Sequence, residues 1–566
     1  DKVTREALAD ARHITEMLVA TSGQAANAIL MQSSTTKLSH LMMTVKPSIA
    51  ELYLEIYDKG LVEQFFDITG LMVTKLTGPE TALVMHRLRA SQRNGGVGMN
   101  DLASDCRQHF VNGFTMGTPR LVRRTLKGKT AKGCIPLLSA VLGNKFSKGE
   151  GEECWRKATS EQSLRSSSTC LAFYMAYRGL QKEVAGDNNA PVTGVLATPV
   201  EAAGIAEGKP NGNVIKKFAS LIAQQRAAVA RKIADDICSN IPRESTVRQA
   251  YVYSKNYSSM AGFISTCPTY SGVIGNVHLQ TAMASFLGLP IPTLNEHLGI
   301  RLKHSDLPIY LDPHGHGISK ADGIKGTATK DRHDSFLTVL ADILRTAGVS
   351  HTVEDVGAFG GARINPLTNL PPIIPDITVR TTDQPYLCDL KFLGPGTALF
   401  GAEYEEGAAI ETRANRINNE YQTAASDHDA EWDTNATTIL RSYGRVRGLV
   451  VGPRGELSKD LVDLIAMAAT AAGTKNWMEL GEESARLARA RYLRVFRRKI
   501  ALAAVRVQAI WMSSRLQQAR AQNAGGSGPS QREKVQRWRT KRAHEEYAST
   551  HASFRSANHS AHRRRG

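Results

Sequence analysis

The sequence predicts a multidomain protein. An all-α N-terminal region comes first, then an α/β domain with a mixed sheet flanked by helices, then a long basic helix and a disordered polar tail. Three observations predict this. Apolar residues of the first part fall at helical spacing, as with Ile14 and Leu18, or Ile49, Leu52 and Ile56. From Arg332 the pattern changes to helix, three strands, helix, strand, helix. From Ser484 to Arg532 there is no Asp or Glu, while arginines recur at 486, 489, 491, 494, 497 and 498.

With 566 residues, 42% of them hydrophobic, the chain is long enough for three or four domains with real cores. Its formal net charge of +18 argues for a polyanionic partner, most simply nucleic acid, though solubility or a membrane surface can also favour a basic chain. The seven cysteines form no C-x-x-C pair, which fits a reducing, intracellular compartment better than a disulfide framework. No run of 18 or so apolar residues suggests a membrane span, and no membrane partner is expected. The chain opens DKVTREALAD with neither initiator Met nor signal pattern, and is read as a fragment that is not secreted.

Residues 1–150 read as successive amphipathic helices. Within them, PRLVRRTLKGKTAK (119–132) has no acids, and Arg123, Arg124, Lys127 and Lys129 are candidates for contact with a phosphate backbone; a solvated surface is the alternative. Residues 151–310 read as a mostly helical linker region. Asp235-Asp236 lies in a helical pattern and is taken for surface acids, not for a metal-binding pair. Between 267 and 333, one cysteine (Cys267) with histidines at 278, 297, 304, 314 and 316 falls short of a four-ligand zinc site, and zinc is not expected.

The α/β domain is assigned to 333–475. A helix over 335–346 presents Phe336, Leu337, Leu340, Ile343 and Leu344, and 351–356 is a first strand. The stretch IIPDITVRTTDQPYLCDLKF (373–392) then reads as a hairpin. In its first strand Asp376, Thr378 and Arg380 share a face; in its second, Asp389 and Lys391 share one, with Cys388, Leu390 and Phe392 on the other. A turn centred on Thr382 and Asp383 sets Asp376 across from Asp389, neighbours at roughly 5 Å. Two carboxylates at ~4 Å repel by about 4 kcal/mol at an effective dielectric near 20, so the pair calls for a cation or a shared proton. Mg²⁺ (or Mn²⁺) takes carboxylate oxygens, keeps waters and bridges to phosphate, and Lys391 is placed to orient a water. A helix over 408–426, a strand over 445–452 and a helix over 458–472 complete the domain.

That element order, with Pro375-Asp376 and Asp389-Leu390-Lys391 at this interval, resembles the PD-(D/E)xK, or restriction-endonuclease-like, fold. The phrases LSHLMMTVKPSIAELYLEIYDKG and Gly95-Gly96-Val97-Gly98-Met99, with LDPHGHG and Arg332-His333-Asp334, resemble the part of non-LTR retrotransposon reverse transcriptases that follows the polymerase core. The resemblance implies that residues 1–150 are thumb-like, 311–332 a degenerate zinc-element remnant, and the whole the C-terminal part of such a polyprotein, without its polymerase core. It implies a Mg²⁺-dependent DNA endonuclease with Asp376 and Asp389 as metal ligands and Lys391 as water-positioning residue. Asp334, Glu354, Arg413, Arg416 and Tyr421 are further active-site candidates, although Asp334 serves equally as a helix cap and Glu354 as an exposed edge-strand residue. Ile374 stands where relatives often carry Arg or Lys. The implied partners are target DNA and, through the parent polyprotein, the element's RNA; for a eukaryotic element the implied location is the nucleus. The alternatives are a catalytically inactive nucleic-acid-binding remnant and a free-standing nuclease of the same fold.

Beyond the domain, 476–522 reads as a basic amphipathic helix with Leu493, Phe496, Ile500, Val507 and Trp511 in one stripe. Arg494, Arg497 and Arg498 are nucleic-acid-binding candidates there; packing of the helix on the preceding domain is the alternative, and an interfacial membrane helix has the same spacing. Residues 523–566 read as a disordered basic tail.

Overall fold

The computed structural model describes residues 2–19, 22–34, 37–73, 76–99, 101–124, 175–177, 179–180, 212–264, 266, 268, 272–302, 308–324, 326–359, 372–381, 384–432 and 434–523. Among them the chain is mostly helical, with a two-stranded ribbon and one four-stranded mixed sheet. The segment 524–566 and most of 125–211 lie outside the described residues.

The N-terminal region comprises α1 (Lys2–Val19), α2 (Gly23–Gln32), α3 (Ser39–Thr44), α4 (Pro47–Thr69), α5 (Gly78–Arg89) and α6 (Leu102–Arg124). Pro47 opens α4, where its missing N–H is no loss, and α5 begins with a full capping box between Thr77 and Glu80. Helices α7 (Gly212–Ser239), α8 (Thr246–Asn256), α9 (Asn276–Leu287) and α10 (Pro292–Asn295) follow. The ribbon of β1 (Arg301–Leu302) and β2 (Ile309–Tyr310), which helical periodicity does not announce, leads to α11 (His316–Lys320).

Helix α12 runs over Ala328–Thr346, so Arg332, His333 and Asp334 stand inside it and a boundary drawn at 332/333 cuts a helix. Asp334 therefore caps nothing. Strand β3 (Ser350–Val353) pairs antiparallel with β4 (Ile377–Arg380), β4 antiparallel with β5 (Tyr386–Phe392), and β5 parallel with β6 (Arg447–Val451). The crossover from β5 to β6 carries α13 (Gly401–Glu405), α14 (Ala409–Trp432) and α15 (Ala436–Tyr443); α16 (Lys459–Asn476) and α17 (Ala485–Asn523) close the described chain.

Alternation along the strands sorts the sheet's two faces. Ile377, Val379, Tyr386, Cys388, Leu390, Leu449 and Val451 pack with residues of α12, α16 and α17, while Leu387 and Val450 join Ile410, Ala414 and Ile417 of α14. Cys388 is fully buried, and burial pushes its thiol far up from the usual cysteine range. The apolar stripe of α17 is core: Phe496, Ile500 and Val507 pack under the sheet, and Trp511, Met512 and Leu516 join the core shared with the N-terminal helices. Helix α17 thus contributes to two cores, one under the sheet and one that links the N-terminal helices to α14.

The outer edge of β6 is closed by side chains. Asp460 accepts from the Gly448 N–H at 2.9 Å, and Ser458 accepts from the Val450 N–H at 3.0 Å while donating to the Gly448 carbonyl at 2.7 Å. Under the other end, Gln508 of α17 donates to the Leu393 carbonyl at 3.3 Å and the Gly452 carbonyl at 3.0 Å, and accepts from the Arg332 guanidinium at 2.9 Å. Arg332 is itself sandwiched between the Phe392 and Trp511 rings at 4.5 and 4.3 Å, and burial holds it down at about 9.

Candidate active site at the strand hairpin

The register of β4 on β5 pairs Ile377 with Cys388, Thr378 with Leu387 and Val379 with Tyr386. It sets Asp376, one residue before β4, opposite Asp389, as a turn centred between positions 382 and 383 requires; Thr382 and Asp383 themselves lie outside the described residues. The Leu390 N–H donates to Asp376 Oδ2 at 2.5 Å and ties that carboxylate to β5. Upstream, the N–H groups of Glu354 and Asp355 donate to the carbonyls of Asp376 and Pro375 at 2.9 and 3.3 Å, carrying the β3–β4 contact up to the site. Glu354 adopts a left-handed φ of 48°, which ends β3 there.

Asp389 is 4% exposed. Lys391, two residues on and on the same face, brings Nζ to 2.6 Å from Asp389 Oδ2, and the Tyr421 hydroxyl donates to Asp389 Oδ1 at 3.1 Å. Tyr421 arrives there because Ile410, Ala414, Ile417 and Tyr421 form one stripe of α14 facing the sheet. Gly448 of β6, beside Asp389 in register, lets the helix come close: a Cβ at this position would stand 2.4 Å from the Ala414 carbonyl oxygen.

His333 completes the arrangement. Its Nε2 lies 3.1 Å from Asp376 Oδ2 and its Nδ1 3.2 Å from Asp334 Oδ1, so an imidazolium donates to a carboxylate on each side. The hydrogen bond to Asp376 raises its basicity above the ordinary histidine value, against the effect of burial. Burial would raise the Asp376 carboxyl, but His333, the Leu390 N–H and Lys391 together hold it below the usual range. Burial and the nearby Asp376 charge raise Asp389 in spite of Lys391 and Tyr421. Burial first, then the two carboxylates, push the Tyr421 phenol up, which keeps it a donor. The two acids are thus driven apart, Asp376 to the ionised side and Asp389 toward holding a proton.

Among the described residues no group of three His, Cys, Asp or Glu side chains is set for a metal. A hard divalent cation does not need three, because Mg²⁺ is held by one or two carboxylates and keeps its waters. Asp376 and Asp389 are such a pair, and the buried Asp389 Oδ2 has the Lys391 ammonium nearby but no aligned hydrogen bond. The donor set fits Mg²⁺ or Mn²⁺.

The other sequence candidates fall at varied distances from this centre. Asp334 is there through His333 and also meets Lys330 at 3.4 Å. Glu354 contributes its backbone, while its side chain is exposed. Arg413 grips Glu420 with two bonds, at 2.6 and 3.0 Å, and Arg416 lies 4.9 Å over the Phe400 ring, so neither is brought to Asp389. Arg494, Arg497 and Arg498 are exposed on α17. Arg123 and Arg124 end α6; Lys127 and Lys129, like Cys267 and His304, lie outside the described residues. In LDPHGHG, Asp312 accepts from the His314 and Gly317 N–H groups at 2.9 and 2.6 Å, a capped turn into α11. His333 was absent from the sequence candidates although it stands within the Arg332-His333-Asp334 phrase. Compared with models of known protein families and with curated proteins, the chain matches none.

No helix among the described residues is long and apolar enough to cross a membrane.

Proposed function

We propose that the chain is a metal-dependent endodeoxyribonuclease that nicks target DNA, and that it forms the C-terminal part of a non-LTR retrotransposon reverse transcriptase with a PD-(D/E)xK-type domain. The observation that carries the reading is the opposition of Asp376 and Asp389 on adjoining strands with the Lys391 ammonium beside them. Asp376 and Asp389 would hold Mg²⁺ or Mn²⁺, which when bound supplies positive charge to the scissile phosphate and makes water more acidic. Lys391, 40% exposed at the rim of the site, orients the attacking water. Its oxygen bonds to phosphorus as the bond to the 3′ oxygen breaks, leaving a 3′ hydroxyl and a 5′ phosphate. Tyr421 fixes the Asp389 carboxylate, and His333 fixes Asp376 from the helix side. Target DNA and, through a parent polyprotein, the element's RNA are the partners that this reading assigns.

A plasmid nicking assay with Mg²⁺ tests it. The wild type relaxes supercoiled DNA, and Asp389→Ala lowers the rate at least about a hundredfold, the scale of losing a group that acts in the transition state. Wild-type protein that binds DNA and cuts no faster than Asp389→Ala overturns the reading.

A further inference from the structure

Helix α12 has two working sides. His333 and Asp334 face the carboxylate pair, while Ser335, Thr338, Val339, Asp342 and Arg345 line a groove against α17 with a volume of about 1070 Å³. The groove is larger than the pockets of roughly 300–1,000 Å³ that enclose small ligands. Its α17 wall repeats a cation and an apolar residue every four positions, Arg498, Leu502, Arg506 and Ile510, so the four stand in one row. Arg498 and Arg506, eight residues apart, are separated by about 12 Å along the helix.

The charge is unbalanced. Among the described residues, Arg345, Arg498, Lys499 and Arg506 face only Asp331 and Asp342, and Asp342 is already engaged by Lys499 and, at 3.5 Å, by Arg345. No acid occurs anywhere in α17. Arg332 also lines the groove, but its guanidinium is taken up by Gln508 and two rings. Arg498 and Arg506 thus remain as a spaced pair of cations beside the apolar side chains of Val339 and Ile510, with Leu502 buried beneath them. A polyanion with apolar faces along its length fits this surface.

We propose that the groove between α12 and α17 seats one strand of nucleic acid, its phosphates on Arg498 and Arg506 and its unpaired bases against Val339 and Ile510. A duplex keeps its base faces stacked inside and offers its edges to elements that protrude into its grooves, whereas this surface is a recess. The inference deepens the nuclease reading by giving the strand a seat on the helix that carries His333. It needs only binding, so it stands or falls separately from cleavage.

The test is fluorescence anisotropy in EDTA with a labelled mixed-sequence DNA strand of about 20 nucleotides and the duplex of the same length. Wild-type protein is expected to bind the single strand at least about fivefold tighter than the duplex. Arg498→Gln with Arg506→Gln is expected to weaken single-strand binding about tenfold and to reduce the slope of log affinity against log salt by roughly 1.4, two contacts' worth. The same two charges removed off the groove, Arg486→Gln with Arg520→Gln, are expected to cost less than about threefold. Ile510→Glu, at a position 38% exposed and therefore tolerant of a polar side chain, is expected to weaken the strand about as much as the groove arginine pair does. Equal effects of the two arginine pairs, equal affinity for duplex, or displacement of the strand by polyglutamate more readily than by unlabelled DNA would each overturn the proposal, the last in favour of an acidic polypeptide.

Discussion

His333 Nε2 stands 3.1 Å from Asp376 Oδ2, and this one contact joins α12 to the first carboxylate of the hairpin. It also makes a pH prediction. His333 is raised above 6.5, so its contribution to stability is full below that value and is lost as pH rises through the folded one. Asp376 is lowered below 3.8, so its contribution is present above that value and is lost as pH falls through the folded one. The stability gap between wild type and His333→Ala is therefore expected to be widest between these two values, at about 1.5–3 kcal/mol for a charged hydrogen bond, and to narrow on either side. Urea unfolding across pH 3 to 9 or so reads it; a gap that does not vary with pH removes the ion pair from the account.

Tyr421→Phe removes the hydroxyl that favours ionised Asp389. The Asp389 carboxyl is expected to rise further, which, on the proposed nuclease reading, moves the acidic limb of Mg²⁺-dependent nicking to higher pH. A pH–rate profile of the two proteins checks this, and an unmoved limb would place Tyr421 outside the site's electrostatics.

Gly448→Ala puts a methyl group 2.4 Å from the Ala414 carbonyl oxygen, backbone that cannot swing aside. Overpacking of this kind costs about 1–3 kcal/mol. Because Gly448 lies beside Asp389 in register, displacing α14 here also draws Tyr421 back. Thermal unfolding together with nicking should show a lower midpoint and a lower rate; a variant as stable and as active as wild type would mean that the helix gives way without consequence.

Gln508→Leu leaves the Leu393 carbonyl and the Arg332 guanidinium without their buried partner, while the Gly452 carbonyl keeps the Gly455 N–H at 3.2 Å. A loss of about 2–4 kcal/mol is expected in denaturant unfolding, from the cost of stranding buried polar groups. A change under about half a kcal/mol would show that water replaces the amide.

Asp58 on α4 is buried and accepts from the Ala103 N–H at 2.8 Å, yet burial pushes its carboxyl up to about 7. A raised acid stabilises fully below its ordinary value of 3.8, and that contribution is lost as pH climbs through the folded value. Asp58→Asn is expected to flatten this decline, gaining on wild type between about pH 4 and 7 by an amount of the order of a few kcal/mol. Parallel stability curves for the two proteins would contradict it.

The hairpin was the most legible part of the chain, because period-two alternation and a turn at 382–383 leave a single register that brings Asp376 to Asp389. The start of α12 was hidden by Arg332: a buried cation on the core side of a helix reads as surface, and only Gln508, Phe392 and Trp511, far away in sequence, make it interior. For the same reason nothing in the sequence joined His333 to Asp376. Tyr421 was named through the resemblance, and it is the stripe of Ile410, Ala414 and Ile417, packed on the sheet, that brings it to Asp389. Arg413 and Arg416 share the spacing of that helix, yet Glu420 and Phe400 capture them, a competition between surface partners that periodicity does not resolve. The stripe on α17 was visible, and spacing alone left it to lie on nucleic acid or to pack on the preceding domain; the structure has it packed as core.

Cys388, between Leu387 and Asp389, turns its thiol to the side of the sheet opposite the acids and is fully enclosed. A thiol so placed reacts with a labelling reagent only while β5 is parted from α12 and α16, and the Asp376–Asp389 pairing depends on the same strand. Its modification rate is therefore a clock for the opening of the Asp376–Asp389 hairpin, readable without substrate and without altering either carboxylate.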